Sequence, residues 1–171
     1  DLMKGPCGKL RALILAPTRE LAEQTHVAIK ELGGQTGLRS MSIYGGVSAN
    51  PQKSRLRNGV DIVVACPGRL LDLKNQGAID LRNIEILILD EADHMFDMGF
   101  LPDIKRIIST VPQKRQTLLF SATMPGKIHA LATKIMDHPV TVEIDIAEPI
   151  DAIDHAIYPV EHAKKLEMLL H

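Results

Sequence analysis

The residues best suited to chemistry are two adjacent carboxylates, Asp90 and Glu91. They end the apolar run Ile84-Glu85-Ile86-Leu87-Ile88-Leu89. An apolar strand ending in two carboxylates is the layout of a Walker B site. Asp90 would hold Mg²⁺, through water, because this ion sheds its waters reluctantly. Glu91 would orient or deprotonate an attacking water. A strand end positions both groups tightly, as metal-assisted phosphoryl transfer requires. The simpler reading is that acidic residues end a strand and cap the next helix.

The elements that must position this pair alternate along the chain. Leu10–Ala16, Ser40–Tyr44, Val60–Cys66, Ile84–Leu89, Gln116–Phe120 and Val140–Ile144 read as strands. Glu20–Leu32, Asn50–Arg57, Arg69–Asn75, Leu101–Val111 and Met124–Met136 read as helices, from apolar spacing, prolines near helix starts and glycines after helix ends. The runs at Ile84–Leu89 and Gln116–Phe120 are apolar enough to be buried on both faces. Repeated strand-then-helix units imply right-handed crossovers and an α/β parallel sheet with helices on both faces. Ligands bind such sheets beyond the carboxyl ends of the strands. Pro17-Thr18-Arg19, Gly45-Gly46, Cys66-Pro67-Gly68-Arg69, Asp90-Glu91-Ala92-Asp93 and Ser121-Ala122-Thr123 all fall at such ends.

Composition narrows the partners. The 171 residues carry a net charge of −1, with 45% hydrophobic and 24% charged residues. That is ordinary globular composition, with no apolar run long enough for a membrane-spanning helix. No global field draws the chain to nucleic acid, so any such contact must be local. Aromatic residues are 3% with no Trp, which argues against reading bases by stacking. Backbone-directed contacts with little sequence information are the expected mode. Cys7 and Cys66 are too few for a disulfide framework or zinc site, and a reducing, cytoplasmic setting is the simpler reading.

Asp90-Glu91-Ala92-Asp93 matches the motif that names the DEAD-box RNA helicases. Pro17-Thr18-Arg19-Glu20-Leu21-Ala22-Glu23-Gln24 resembles their motif Ia, Gly45-Gly46 their GG motif, Pro67-Gly68-Arg69 most of motif Ib, and Ser121-Ala122-Thr123 motif III. The likeness runs from about Leu10 to the C-terminus, and the wording is similar to the bacterial RhlE-type subgroup. The resemblance implies a three-layer RecA-like sheet of the P-loop NTPase type, incomplete at the N-terminus. It also implies ATP and Mg²⁺ as cofactors and hydrolysis coupled to local RNA unwinding. Residues 1–145 would be a partial first motor domain, 146–154 an acidic linker and 155–171 the start of a second domain. Within that opening, Ala156–Val160 reads as a strand and Glu161–Leu170 as a helix.

The resemblance assigns roles. Pro17, Thr18, Arg19, Gly45, Gly46, Pro67, Gly68 and Arg69 would follow the sugar-phosphate backbone of single-stranded RNA. Glycines let phosphates approach N–H groups, helix N-termini favour anions and Arg supplies a forked donor. For Arg19 and Glu20 the alternative is a surface ion pair, and for Gly45-Gly46 an ordinary turn. Lys53, Arg55 and Arg57 either extend a basic track or line a solvated helix face. Asp90, Glu91, Asp93, Ser121 and Thr123 form the catalytic set, with Ser121 and Thr123 bonded to the Asp93 region. A local alternative has Ser121 or Thr123 capping the helix at Pro125. His94 is assigned no catalytic task, and Phe100 is expected to pack.

A Walker A loop is not found in the 171 residues. Gly5-Pro6-Cys7-Gly8-Lys9 is a decoy: two residues separate its glycines, Leu10 follows the Lys and a strand comes next. The chain alone is therefore expected to bind ATP weakly or not at all and not to hydrolyse it. In RecA-like cores the P-loop strand lies beside the motif III strand. Without it Gln116–Phe120 becomes an apolar edge, inviting instability, rearrangement or self-association. The chain is expected to be a piece of a longer protein. Rival readings are a non-catalytic RNA-binding module, a related motor acting on DNA and a flavodoxin-like small-molecule binder.

Overall fold

A computed structural model describes residues 8–143 and 156–170. They fall into two compact units, Asp1–His138 and Pro139–His171. In the first, the chain runs β1 (Ala12–Leu15), α1 (Arg19–Gly33), β2 (Ser40–Ile43), α2 (Ala49–Arg57), β3 (Ile62–Ala65), α3 (Pro67–Asn75), β4 (Ile86–Leu89), α4 (Ala92–Asp97), α5 (Leu101–Ile108), β5 (Gln116–Leu119) and α6 (Gly126–Ile135). All strand pairs are parallel, in the order β2-β3-β1-β4-β5.

Alternation along each strand sends side chains to two cores. Leu13, Leu15, Val63, Ala65, Leu87 and Leu89 face Leu70 and Leu73 of α3, Met95 of α4, Ile104 and Ile107 of α5 and Leu131 of α6. Ala12, Ile14, Ile62 and Val64 face Ala22 of α1, with Leu21 and Ile29 beside it. The chain steps from β1 outward to β2 and then returns towards β4. Right-handed crossovers in opposite directions put their helices on opposite faces, so α1 is segregated from α3 and α5. Leu87 is fully buried, and its truncation to Ala would cost about 2–5 kcal/mol.

Asp61 fixes the amino ends of the strands. It is fully buried. Its carboxylate accepts from the Gly8 amide at 2.6 Å and the Arg39 amide at 2.9 Å. Its carbonyl accepts from Arg11 N at 2.9 Å and its own amide donates to Arg39 O at 2.8 Å. One side chain thus ties the entries to β1, β2 and β3.

Several sequence expectations are corrected. Ile84–Leu89 is not buried on both faces: Leu87 and Leu89 are covered, but Ile86 and Ile88 are half-exposed. α1 packs mainly over β2 and β3, and Ile86 and Ile88 lie at the margin of that core, only partly covered. Gln116–Phe120 is not a buried strand either. It is instead the exposed sheet edge that the resemblance leads us to expect, with Gln116 exposed and Phe120 52% exposed. The helix α4 was not foreseen in the sequence, because six residues following a strand carry too little periodicity. α3 begins two residues earlier than the spacing suggests, since Pro67 suits N1.

In the second unit, the described part of the expected strand Val140–Ile144, residues 140–143, and Ala156–Val160 form no strand, against expectation. A strand persists only with a partner to take its amides and carbonyls, and none pairs with these residues among those described. Glu161–Leu170 is a 3₁₀ turn at His162–Lys164 followed by α7 (Lys165–Leu169). The expected linker, 146–154, lies outside the described residues, as does most of the Gly5–Lys9 decoy.

Candidate functional site

Because all five strands are parallel, their carboxyl ends share one rim. Sheet order sets the sequence of groups along it: Gly45-Gly46 after β2, Pro67-Gly68-Arg69 after β3, Pro17-Thr18-Arg19 after β1, Asp90–Asp93 after β4 and Ser121–Thr123 after β5. The carboxylates and hydroxyls occupy one half of the rim, and the glycines and arginines the other.

Asp90 leaves β4 with its amide bonded to Leu15 O at 3.0 Å. Its Oδ1 accepts the Glu91 amide at 3.1 Å. Burial, together with the Glu91 charge, pushes the Asp90 carboxyl above its ordinary range, against the pull of that amide. A carboxylate under this strain is one that a cation would relieve. Among the described residues no group of three His, Cys, Asp or Glu side chains is placed to hold a metal. A half-buried carboxylate at a strand end suits an ion bound mainly by water and phosphate oxygens, the habit of Mg²⁺. Glu91 has φ 50° and ψ 56°, a left-handed conformation that costs a side-chain-bearing residue about 1–2 kcal/mol. The turn throws the chain directly into α4, and the Ala92 amide is caught by Phe120 O at 2.9 Å.

Asp93, Ser121 and Thr123 form a closed ring of hydrogen bonds. The Asp93 amide donates to Ser121 Oγ at 3.1 Å, and Ser121 Oγ donates to Thr123 O at 2.7 Å. Thr123 then donates from its amide (2.8 Å) and Oγ1 (2.9 Å) to Asp93 Oδ2. Burial alone would raise the Asp93 pKa. The bonds from Thr123, the His94 amide and Ser121 outweigh it, and the carboxyl sits below its ordinary range. Both hydroxyls are committed to this ring, and α6 has no side-chain cap. The capping alternative is thereby corrected.

On the other half, Thr18 is the N-cap of α1, its Oγ1 accepting from the Leu21 amide at 3.3 Å. Arg19 opens that helix, with its guanidinium 4.9 Å from the Tyr44 ring centre. Pro67, Gly68 and Arg69 form the first turn of α3, whose leading amides point at the rim. Arg69 Nη2 donates to Val47 O at 2.9 Å. The Gly45-Gly46 loop is thus held between two arginines, with Gly46 at φ 75°, a conformation glycine adopts freely. Arg55 does not join this surface. It donates to Ser40 O at 3.3 Å, at the opposite end of β2.

Two participants escaped the sequence reading. His94 Nδ1 lies 3.2 Å from Glu91 Oε2, a contact that depends on the unforeseen α4. Tyr44 stood beside Gly45-Gly46 without any signal that its ring would meet Arg19. Phe100 packs against the core, as expected.

A five-stranded parallel sheet with paired carboxylates at one strand end, tied to a hydroxyl pair at the next, places this chain among RecA-like α/β domains. The sequence pattern of the DEAD/DEAH box helicase family matches residues 2–131, and this chain belongs to that family. It is 45% identical over 161 residues to the DEAD-box ATP-dependent RNA helicase CshA of Streptococcus pneumoniae serotype 4, a match covering 94% of this chain and 31% of the relative. It is 47% identical over 144 residues to the ATP-dependent RNA helicase DBP3 of Lodderomyces elongisporus, covering 84% of this chain and 27% of that one. The crystal structure of a DEAD box protein from Methanococcus jannaschii matches with a TM-score of 0.74 at 43% identity, over 80% of this chain and 36% of the other. The chain thus spans about a third of the length of such relatives.

Proposed function

We propose that this chain is part of the first motor domain of an ATP-dependent RNA helicase, which couples ATP hydrolysis to local separation of RNA strands. The observation that carries this reading is the ring joining Asp93 to Ser121 and Thr123, beside the carboxylates Asp90 and Glu91. Mg²⁺, when bound, would neutralise developing charge on the phosphates. Asp90 would hold it through water. Glu91 would orient the attacking water, and its strained backbone keeps the carboxylate at the rim. The ring would transmit the state of the site, because a shift of Asp93 must move the loop after β5.

Single-stranded RNA would lie across Pro17, Thr18, Arg19, Gly45, Gly46, Pro67, Gly68 and Arg69, its phosphates meeting helix N-termini and two guanidiniums. These contacts carry no base information, so binding would be independent of sequence. The choice of RNA over DNA rests on the relatives' names, since no reader of a 2′-OH is identified on this surface. A cytoplasmic setting belongs to the same reading, resting on the low cysteine content of two residues in 171. The 171 residues alone would not hydrolyse ATP, having no Walker A sequence to cradle the phosphates.

The test is an RNA-stimulated ATPase assay on the full-length protein with Glu91→Gln beside it. Stimulation by single-stranded RNA, lost in the variant, is expected. An ATPase indifferent to RNA or to Glu91 would refute the reading.

A further inference from the structure

Arg19 and Glu23 stand four residues apart on α1, the spacing at which opposite charges pair on a helix surface. Left to itself, the guanidinium of Arg19 would fold down onto the Glu23 carboxylate. Its charge would then be spent inside the protein.

Tyr44, at the end of β2, comes between them. Its ring packs against the α1-side core and carries the Arg19 guanidinium on its face at 4.9 Å. Its hydroxyl interacts with both Glu23 and Arg19. Glu23 is held from below as well. It accepts from Ser42 Oγ at 2.8 Å, and His26 Nδ1 stands 3.8 Å away. Ser42 and His26 are both buried. The Tyr44 interaction is the largest influence on Glu23 and, with the smaller ones from Ser42 and His26, holds its carboxyl below the ordinary range. Glu23 thus has its acceptors occupied from the sheet side, while Arg19 rests on an aromatic plate at the rim, beside Gly45-Gly46.

We propose that Tyr44 is a positioning residue for RNA binding, which keeps Arg19 away from Glu23 and presents its guanidinium to a phosphate of the single strand. This rests on the reading of the rim as an RNA surface. A guanidinium stacked on a ring keeps donors on its edge for a phosphate fork. The stack also restrains a side chain that otherwise loses rotamer freedom on binding. An exposed cation–π contact is weak enough to bias Arg19 without locking it.

The experiment measures KM for single-stranded RNA and kcat in the RNA-stimulated ATPase of the full-length protein. Binding is followed in parallel by fluorescence anisotropy of a labelled oligoribonucleotide. Tyr44→Leu should raise KM by about two- to fivefold, with a much smaller change in kcat. Tyr44→Phe, which keeps the ring, should stay nearer wild type. Adding Glu23→Gln to Tyr44→Leu should restore most of the loss, because the competing charge is gone. In an Arg19→Ala background, Tyr44→Leu should add little. A Tyr44→Leu protein with wild-type KM, a loss equally large without Arg19, or no rescue by Glu23→Gln would overturn the proposal. Rescue would also show that the variant is folded. If the wild-type protein neither binds RNA nor responds to it, the RNA reading itself fails; if wild type binds and only the variants disobey, this inference fails alone.

Discussion

Thr123 gives two hydrogen bonds to a single oxygen of Asp93, from its amide at 2.8 Å and its hydroxyl at 2.9 Å. That oxygen joins the first turn of α4 to the loop after β5. The amide bond survives most substitutions, whereas the hydroxyl bond does not. Thr123→Val should therefore destabilise the fold by about 0.5–1.5 kcal/mol, as should Asp93→Asn. In a double-mutant cycle read by urea denaturation, the two changes should be less than additive. Full additivity would mean the bond contributes nothing.

Glu91 is a non-glycine residue at φ 50°, where the strain serves the site and not stability. Glu91→Gly should relieve it, offset in part by the greater freedom of the unfolded chain, for a net gain of about 0.5–1 kcal/mol. Glu91→Gln keeps the strain and should leave stability within about 0.5 kcal/mol. Both should abolish ATPase activity in the full-length protein. Thermal melting and a phosphate-release assay separate the two effects.

Cys66 ends β3 and is buried, and burial, with a smaller contribution from Glu20, pushes its thiol from 9.0 up to about 11. A raised folded-state pKa means the folded form resists ionisation. The associated stability is intact below pH 9.0 and lost as pH climbs towards about 11. Cys66→Ala should flatten that alkaline decline in melting temperature. At neutral pH the thiol should also resist alkylation until the protein unfolds, which peptide mapping by mass spectrometry would show.

Asp61 accepts two backbone amides while fully buried. Asp61→Ala leaves both donors without a partner, so a loss of about 1–3 kcal/mol for each is expected. Hydrogen exchange should show the Gly8 and Arg39 amides losing protection first. Unchanged protection there would contradict the anchoring role.

β5 is an edge with Leu118 half-exposed and Phe120 52% exposed. The 171-residue chain by itself should associate with rising concentration, and Leu118→Lys should reduce this. Light scattering across a dilution series reads the outcome. A monomer at every concentration would count against it.

The sequence determined a great deal here through local rules. Apolar runs with Pro and Gly punctuation located all five strands of the sheet, because buried parallel strands carry a strong compositional signal. Motif spacing brought Asp90, Glu91, Asp93, Ser121 and Thr123 to the rim, because residues at strand ends in a parallel sheet must share an edge. The tertiary structure decided what depends on neighbours. Strand order made Gln116–Leu119 an edge and left Ile86 and Ile88 half-covered, which no run of hydrophobic residues can announce. Among the described residues, 140–143 and 156–160 have no pairing partner and take no strand form. The bonding of Ser121 and Thr123 to Asp93 was legible through the family resemblance, whereas the contacts of Arg69 with Val47 and Arg19 with Tyr44 arise from packing geometry and became visible only in the fold.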